Sequence, residues 1–122
     1  MALQILAVDD SRTMRDMVRL TLTGAGFATH LAEDGVHGLE VLGEIDPPDA
    51  IITDINMPRM DGFGFIDAVR AQDAYRAIPI LVLTTESAAE MKNRARAAGA
   101  TGWIVKPFDP EKLVKALRMV AG

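Results

Sequence analysis

Four short apolar runs in this chain each stop at a residue suited to phosphate chemistry. Ile5-Leu6-Ala7-Val8 leads into Asp9-Asp10, and Ala50-Ile51-Ile52-Thr53 into Asp54. Ile80-Leu81-Val82-Leu83 leads into Thr84-Thr85, and Trp103-Ile104-Val105 into Lys106-Pro107. Runs this short and continuous fit strands covered on both faces, as in a parallel sheet. An open parallel sheet aligns its strand carboxyl ends on one edge, where ligands bind. The pattern predicts one pocket that gathers three carboxylates, a hydroxyl and an ammonium group.

Five strands, near 4–9, 28–32, 50–54, 80–84 and 102–106, alternate with five helices. The first helix follows Asp10-Ser11, with Met14, Met17, Val18 and Leu22 at helical spacing and Gly24-Ala25-Gly26 at its end. The second starts near Asp34-Gly35, runs to about Glu44 and turns Val36, Leu39 and Leu42 inward. The third, after Asp61-Gly62, buries Phe65, Ile66 and Val69. The fourth, about 88–98, has a thin alanine stripe (Ala88, Ala89, Ala95, Ala97, Ala98). Alanine forms helix readily but buries little area, so this helix should be weakly anchored. The fifth starts at Asp109-Pro110 and uses Leu113, Val114, Leu117 and Val120. Strict alternation of strand and helix predicts an α/β doubly wound (βα)5 fold with right-handed crossovers. Strand order does not follow from the pattern.

The 122 residues suit one domain, 1–122, with 49% hydrophobic and 25% charged residues, a balance that argues against disorder. The net charge of −4 is uneven: residues 1–85 carry 13 acids against 6 bases, and residues 86–122 carry 4 against 7. An acidic half suits a cation, and a basic end suits an acidic partner. Without cysteine, and with only His30 and His37, thiolate chemistry is excluded and a zinc site is not expected. The start Met1-Ala2-Leu3-Gln4 lacks a signal pattern, and no apolar run approaches membrane-spanning length, so a cytoplasmic protein is expected.

Asp9, Asp10 and Asp54 form a cluster that is costly to hold unless a cation neutralises it. Hard carboxylate oxygens favour Mg²⁺, with Mn²⁺ able to substitute. Three carboxylates, one divalent cation and Lys106 sum to zero charge. A phosphoryl group on Asp54 would then meet the cation, Lys106 and the Thr84 hydroxyl. A carboxylate nucleophile forming an acyl phosphate is established chemistry.

The chain resembles the receiver domain of bacterial two-component response regulators, most closely the stand-alone chemotaxis CheY type. The likeness rests on Val8-Asp9-Asp10-Ser11-Arg12-Thr13-Met14-Arg15, Ala32-Glu33-Asp34-Gly35 and Asp54-Ile55-Asn56-Met57-Pro58-Arg59-Met60-Asp61-Gly62. Thr84-Thr85-Glu86 and the stretch from Ala98-Gly99 to Lys106-Pro107-Phe108 complete it, so it spans the whole chain. The resemblance implies a flavodoxin-like sheet of order 2-1-3-4-5 and Asp54 as acceptor of phosphate from a histidine kinase. It implies Mg²⁺ on Asp10, Asp54 and the Asn56 carbonyl, with Asp9 acting through a metal-bound water. It also implies Lys106 on the phosphoryl group, a cis Lys106–Pro107 bond, Thr84 as switch hydroxyl and Trp103 as switch aromatic.

Asn56 and Glu86, each two residues beyond a functional residue, hold positions that tune phosphate lifetime in this family, and Thr85 could narrow access. The family's output surface maps here onto Lys92, Arg94, Arg96, Trp103, Lys112, Lys115 and Arg118, which suit an acidic or amphipathic segment. His30, His37, Met57 and Met60 read as structural. The leading expectation is a monomeric chemotaxis receiver, not an enzyme in its own right, whose phosphorylation changes affinity for a flagellar motor switch protein. A phosphate sink or relay with a histidine phosphotransferase is the alternative, and a separate phosphatase is a further candidate partner. A Mg²⁺-dependent phosphatase fits less well, because its nucleophile typically heads an Asp-x-Asp after strand one. Nucleic acid is not an expected partner, since no residues remain for an output domain after the fifth helix, nor is a membrane, since no apolar run is long enough to span one.

Overall fold

The architecture follows from three continuous apolar strands flanked by amphipathic helices. The computed structural model describes residues 2–121; Met1 and Gly122, the limits of the expected domain, lie outside the described residues. In chain order the elements are β1 (Gln4–Val8), α1 (Arg12–Gly24), β2 (Ala28–Ala32), α2 (Gly35–Glu44), β3 (Ala50–Thr53) and α3 (Gly62–Arg70). A single 3₁₀ turn (Asp73–Tyr75) precedes β4 (Ile80–Thr84), α4 (Ala89–Ala98), β5 (Gly102–Val105) and α5 (Pro110–Ala121). That turn was not expected from the sequence.

All strand pairs are parallel, in the order β2-β1-β3-β4-β5. The fold is thus the doubly wound, CheY-like arrangement that the resemblance implied. β3 and β4 are buried throughout and β1 nearly so, whereas the edge strands β2 and β5 are mostly half-buried. The sheet separates two cores. Leu6, Val8, Ile51, Phe65, Ile66 and Val82 lie in the core that also takes Leu42 of α2 and Ala95 of α4. Ile5, Ala7, Ile52 and Leu83 lie in the other, with Val18 and Leu22 of α1 and Leu113 and Leu117 of α5. Each large side chain withdrawn from water contributes about 1.5–3 kcal/mol before entropy is counted.

Register sets up the site. Val8 lies opposite Thr53, so Asp9 and Asp54 leave adjacent strands side by side. Thr84 lies opposite Val105, and the Lys106 N–H donates to the Thr84 carbonyl at 2.7 Å. β1, β3 and β5 end one residue earlier than expected. The Asp9 and Asp54 N–H groups still donate across the ladder, to Ala32 and Val8 at 3.0 and 2.9 Å, so this difference is one of boundary definition.

The helices start where their caps predict. Ser11, Asp34 and Asp61 each accept a backbone N–H, from Met14, His37 and Gly64, at the first turns of α1, α2 and α3. At α4 the cap residue is Ala88, which has no side-chain acceptor, and Ala95 is the one buried residue of the helix. Two arginines supplement that thin apolar contact. Arg94 stands 4.0 Å above the ring of Phe63 on α3, and Arg70 donates from Nε and Nη2 to the Gly99 carbonyl at 3.1 and 2.9 Å. Phe63, buried alongside Phe65 and Ile66, was absent from the expected inward face of α3.

Candidate functional site

Lys106 bridges two carboxylates. Its Nζ lies 2.7 Å from Asp9 Oδ2 and 2.8 Å from Asp54 Oδ2, with all three side chains almost entirely buried. The remaining oxygens are held by backbone. Asp9 Oδ1 accepts the Ser11 N–H at 2.9 Å and Asp54 Oδ1 the Ile55 N–H at 2.6 Å, so both carboxylate planes are fixed. Burial pushes the Asp9 carboxyl above its ordinary value, although the Lys106 and Ser11 bonds oppose it. For Lys106 burial disfavours the charge, yet bonds to Asp54 and Asp9 outweigh it and raise its pKa.

Asp10, exposed at the rim, completes the carboxylate group: Asp9, Asp10 and Asp54 each offer one oxygen, all within 4.8 Å of one another. These are hard donors with no sulfur or imidazole among them. Their three charges exceed the single charge of Lys106 by two, so the residues present fit a Mg²⁺ ion.

Thr84 is fully buried at the end of β4, and its Oγ1 receives a long bond from the Glu86 N–H at 3.4 Å. Glu86 reaches the other wall of the site, where its Oε1 accepts from Asn56 Nδ2 at 3.2 Å. Its carbonyl accepts the Trp103 indole N–H at 2.9 Å. Trp103 is half-buried and packs on the core formed by α2, α3 and α4. Thr85 is exposed, and Lys106–Pro107 is cis.

The seven residues of the expected output surface do not form one face. Lys92, Arg96 and Trp103 line a small concavity between α4 and β5 with Ala95 and Thr101. Lys112 is exposed in the first turn of α5. Arg94, in contrast, is turned to α3 by its contact with Phe63. Lys115 and Arg118 line the groove between α1 and α5, where Arg118 Nη2 donates to the Ala25 carbonyl at 3.1 Å. Lys115 and Arg118 share with Val114 the side of α5 that faces α1.

Sequence reasoning gave no role to Arg15, whose Nη1 donates to the Asp9 carbonyl at 2.7 Å behind the site. It also assigned none to the ion pair between Asp34 and Arg59. Both contacts span turns or distant segments, and no local spacing announces them.

Known proteins share this fold. The profile of the response regulator receiver domain matches residues 5–118. The chain is 40% identical over 121 residues to "Chemotaxis protein CheY1" of Helicobacter pylori strain J99, covering 98% of each. The structure of chemotaxis protein CheY4 of Vibrio cholerae superposes with a TM-score of 0.93 at 48% identity, covering 98% of this chain and 99% of that one. The receiver domain of sensor histidine kinase PA1611 of Pseudomonas aeruginosa superposes at 0.91 with 26% identity, covering 100% of this chain and 99% of that one. It is described with a magnesium ion coordinated in its active site cleft. The chain belongs to the response regulator receiver domain family, whose members are phosphoacceptor signalling proteins that bind Mg²⁺ in an acidic site. Within that family it is a CheY-like response regulator of a two-component system. No helix among the described residues is long and apolar enough to cross a membrane.

Proposed function

We propose that this chain acts as a stand-alone chemotaxis receiver, accepting a phosphoryl group from a histidine kinase onto Asp54. The observation that carries the reading is the Lys106 ammonium shared between Asp9 and Asp54 at the carboxyl edge of the sheet. An Asp54 oxygen attacks phosphorus, forming a P–O bond as the P–N bond of the phosphohistidine breaks, and the donor imidazole leaves with the electron pair. The Ile55 N–H holds the carboxylate plane during approach. Lys106 then bonds the phosphoryl oxygens, and the Thr84 hydroxyl supplies a further donor. Asp10, Asp54 and the Asn56 carbonyl would hold Mg²⁺, with Asp9 binding it through water. When bound, the ion would supply positive charge that offsets the charge of the phosphoryl group. The protein catalyses only its own phosphorylation and dephosphorylation.

The phosphorylated form changes affinity for a flagellar motor switch protein; the full-length similarity to chemotaxis relatives supports this role and the single-domain reading. A phosphate sink or relay is the second reading. It is favoured by one observation: the division of the basic face leaves Lys92, Arg96 and Trp103 together beside β5. Stoichiometric labelling by a small phosphodonor, lost in Asp54→Asn, tests the chemistry; repeated turnover of a phosphoester would sink it. Pull-down of the motor switch protein with and without beryllofluoride separates motor signal from sink.

A further inference from the structure

The segment joining β3 to α3 leaves the carboxylate site and returns to it. Its base is closed where the Gly62 N–H donates to the Ile55 carbonyl at 2.8 Å. A Cβ at Gly62 would overlap the Asp54 carbonyl oxygen, so the two ends of the loop are in direct contact. Its far end is fastened to α2 instead. The Met60 carbonyl accepts the Gly35 N–H at 3.1 Å. Arg59 donates from Nε to Asp34 Oδ2 at 2.8 Å and from Nη2 to Asp34 Oδ1 at 3.1 Å. Asp34 is itself buried, and its Oδ1 also accepts the His37 N–H that caps α2.

Arg59 has φ of 63°, the one non-glycine residue with positive φ among the described residues. A side chain bearing a Cβ disfavours that region, and such an outlier persists where its surroundings over-determine it. The two-pronged pair with Asp34 does so, because a planar guanidinium meets a carboxylate in a fixed orientation. Relaxation of Arg59 to negative φ would swing the chain on either side of it. Asn56, three residues upstream, lies in that chain with its amide on Glu86.

We propose that Asp34 and Arg59 are positioning residues that hold the Asn56 segment in place for the divalent cation. Neither is a ligand; both act through the loop. This rests on the reading above, in which the Asn56 carbonyl binds the ion.

The test is Mn²⁺ binding, followed by loss of the free-ion electron paramagnetic resonance signal. It compares the wild type with Asp54→Asn, Arg59→Ala, Arg59→Gly, Arg59→Lys and Asp34→Asn, the last retaining an N-cap acceptor. Melting in EDTA establishes that each variant is folded, and Arg59→Gly keeps the test alive if Arg59→Ala is not. Arg59→Ala and Asp34→Asn should weaken Mn²⁺ by on the order of tenfold, as for other groups that orient ligands. Arg59→Gly should lose less than Arg59→Ala, because glycine adopts φ of 63° freely, and Arg59→Lys should fall between wild type and alanine. Wild-type affinity in folded Arg59→Ala and Asp34→Asn overturns the positioning role. Equal losses in the glycine and alanine variants overturn the part assigned to backbone conformation. Wild-type binding that Asp54→Asn leaves untouched overturns the underlying site reading instead.

Discussion

The Trp103 indole N–H is bonded to the Glu86 carbonyl at 2.9 Å, on the loop that begins at the buried Thr84. The Glu86 N–H in turn faces Thr84 Oγ1, so a shift of that hydroxyl towards a phosphoryl group would disturb the indole's partner. Trp103 is the chain's one tryptophan. Its fluorescence should change when Mg²⁺ and beryllofluoride are added together, and should not change in Asp54→Asn. Constant emission in the wild type at saturating ligand would refute the link.

Asn56 and Glu86 meet across the mouth of the site at 3.2 Å, so they should set how readily water reaches the phosphoryl group. Asn56→Ala and Glu86→Ala are expected to change dephosphorylation while leaving phosphorylation intact. Because the two side chains are partners, the double variant should depart from additivity. Decay rates of the phosphorylated variants, measured singly and together, decide this.

Removing Lys106 leaves two buried carboxylates without their cation. Lys106→Met should lower stability in EDTA by about 3–5 kcal/mol, the range for breaking a buried pair from one side. Adding Asp9→Asn should restore part of the loss by removing one of the facing charges. Urea unfolding of the two variants checks both; a fully stable Lys106→Met would show that the carboxylates are solvated after all.

The Arg59 guanidinium holds the Asp34 carboxyl below its ordinary value, against an opposing contribution from burial. A lowered folded-state pKa means that the pair's stabilisation is complete above the unfolded-state value, near 3.8. It is lost as pH falls through the lower folded-state value. The stability difference between wild type and Asp34→Asn should be level above about pH 5 and shrink below about pH 4. Denaturant titrations across that range would show a constant difference if the pair had no such role.

Two glycines make opposite predictions. At Gly62 a Cβ would press on the Asp54 carbonyl and lie 2.8 Å from Ile55 Cα, both backbone. Gly62→Ala should therefore destabilise the fold by about 1–3 kcal/mol, as overpacking does, and impair phosphorylation. A Cβ added at Gly43, within α2, would meet nothing within 4 Å outside its own helix. Gly43→Ala should add about 0.5–1 kcal/mol through helix propensity and leave labelling unchanged. Melting curves and phosphodonor labelling of both distinguish the cases.

Much of the fold was legible because its signals are local. Continuous apolar runs marked the buried strands, helical spacing and caps marked α1 to α3 and α5, and the alanine stripe foretold the thin anchorage of α4. The edge strands β2 and β5 carry less apolar burial, and the turn Asp73–Tyr75 carries no apolar period to read. The phosphate-suited residues at strand ends were also legible, since parallel strands must deliver their carboxyl ends to one edge.

By itself the sequence determined which elements form and which side chains reach the edge of the sheet, because periodicity and capping act over a few residues. Tertiary structure alone decided what those side chains meet. It set Lys106 between Asp9 and Asp54, tied Arg59 to Asp34, and parted Arg94, Lys115 and Arg118 from Lys92, Arg96 and Trp103. Those contacts depend on strand order and on the rotation of each helix over the sheet. Both are settled by packing of the whole core, and no run of neighbouring residues records them.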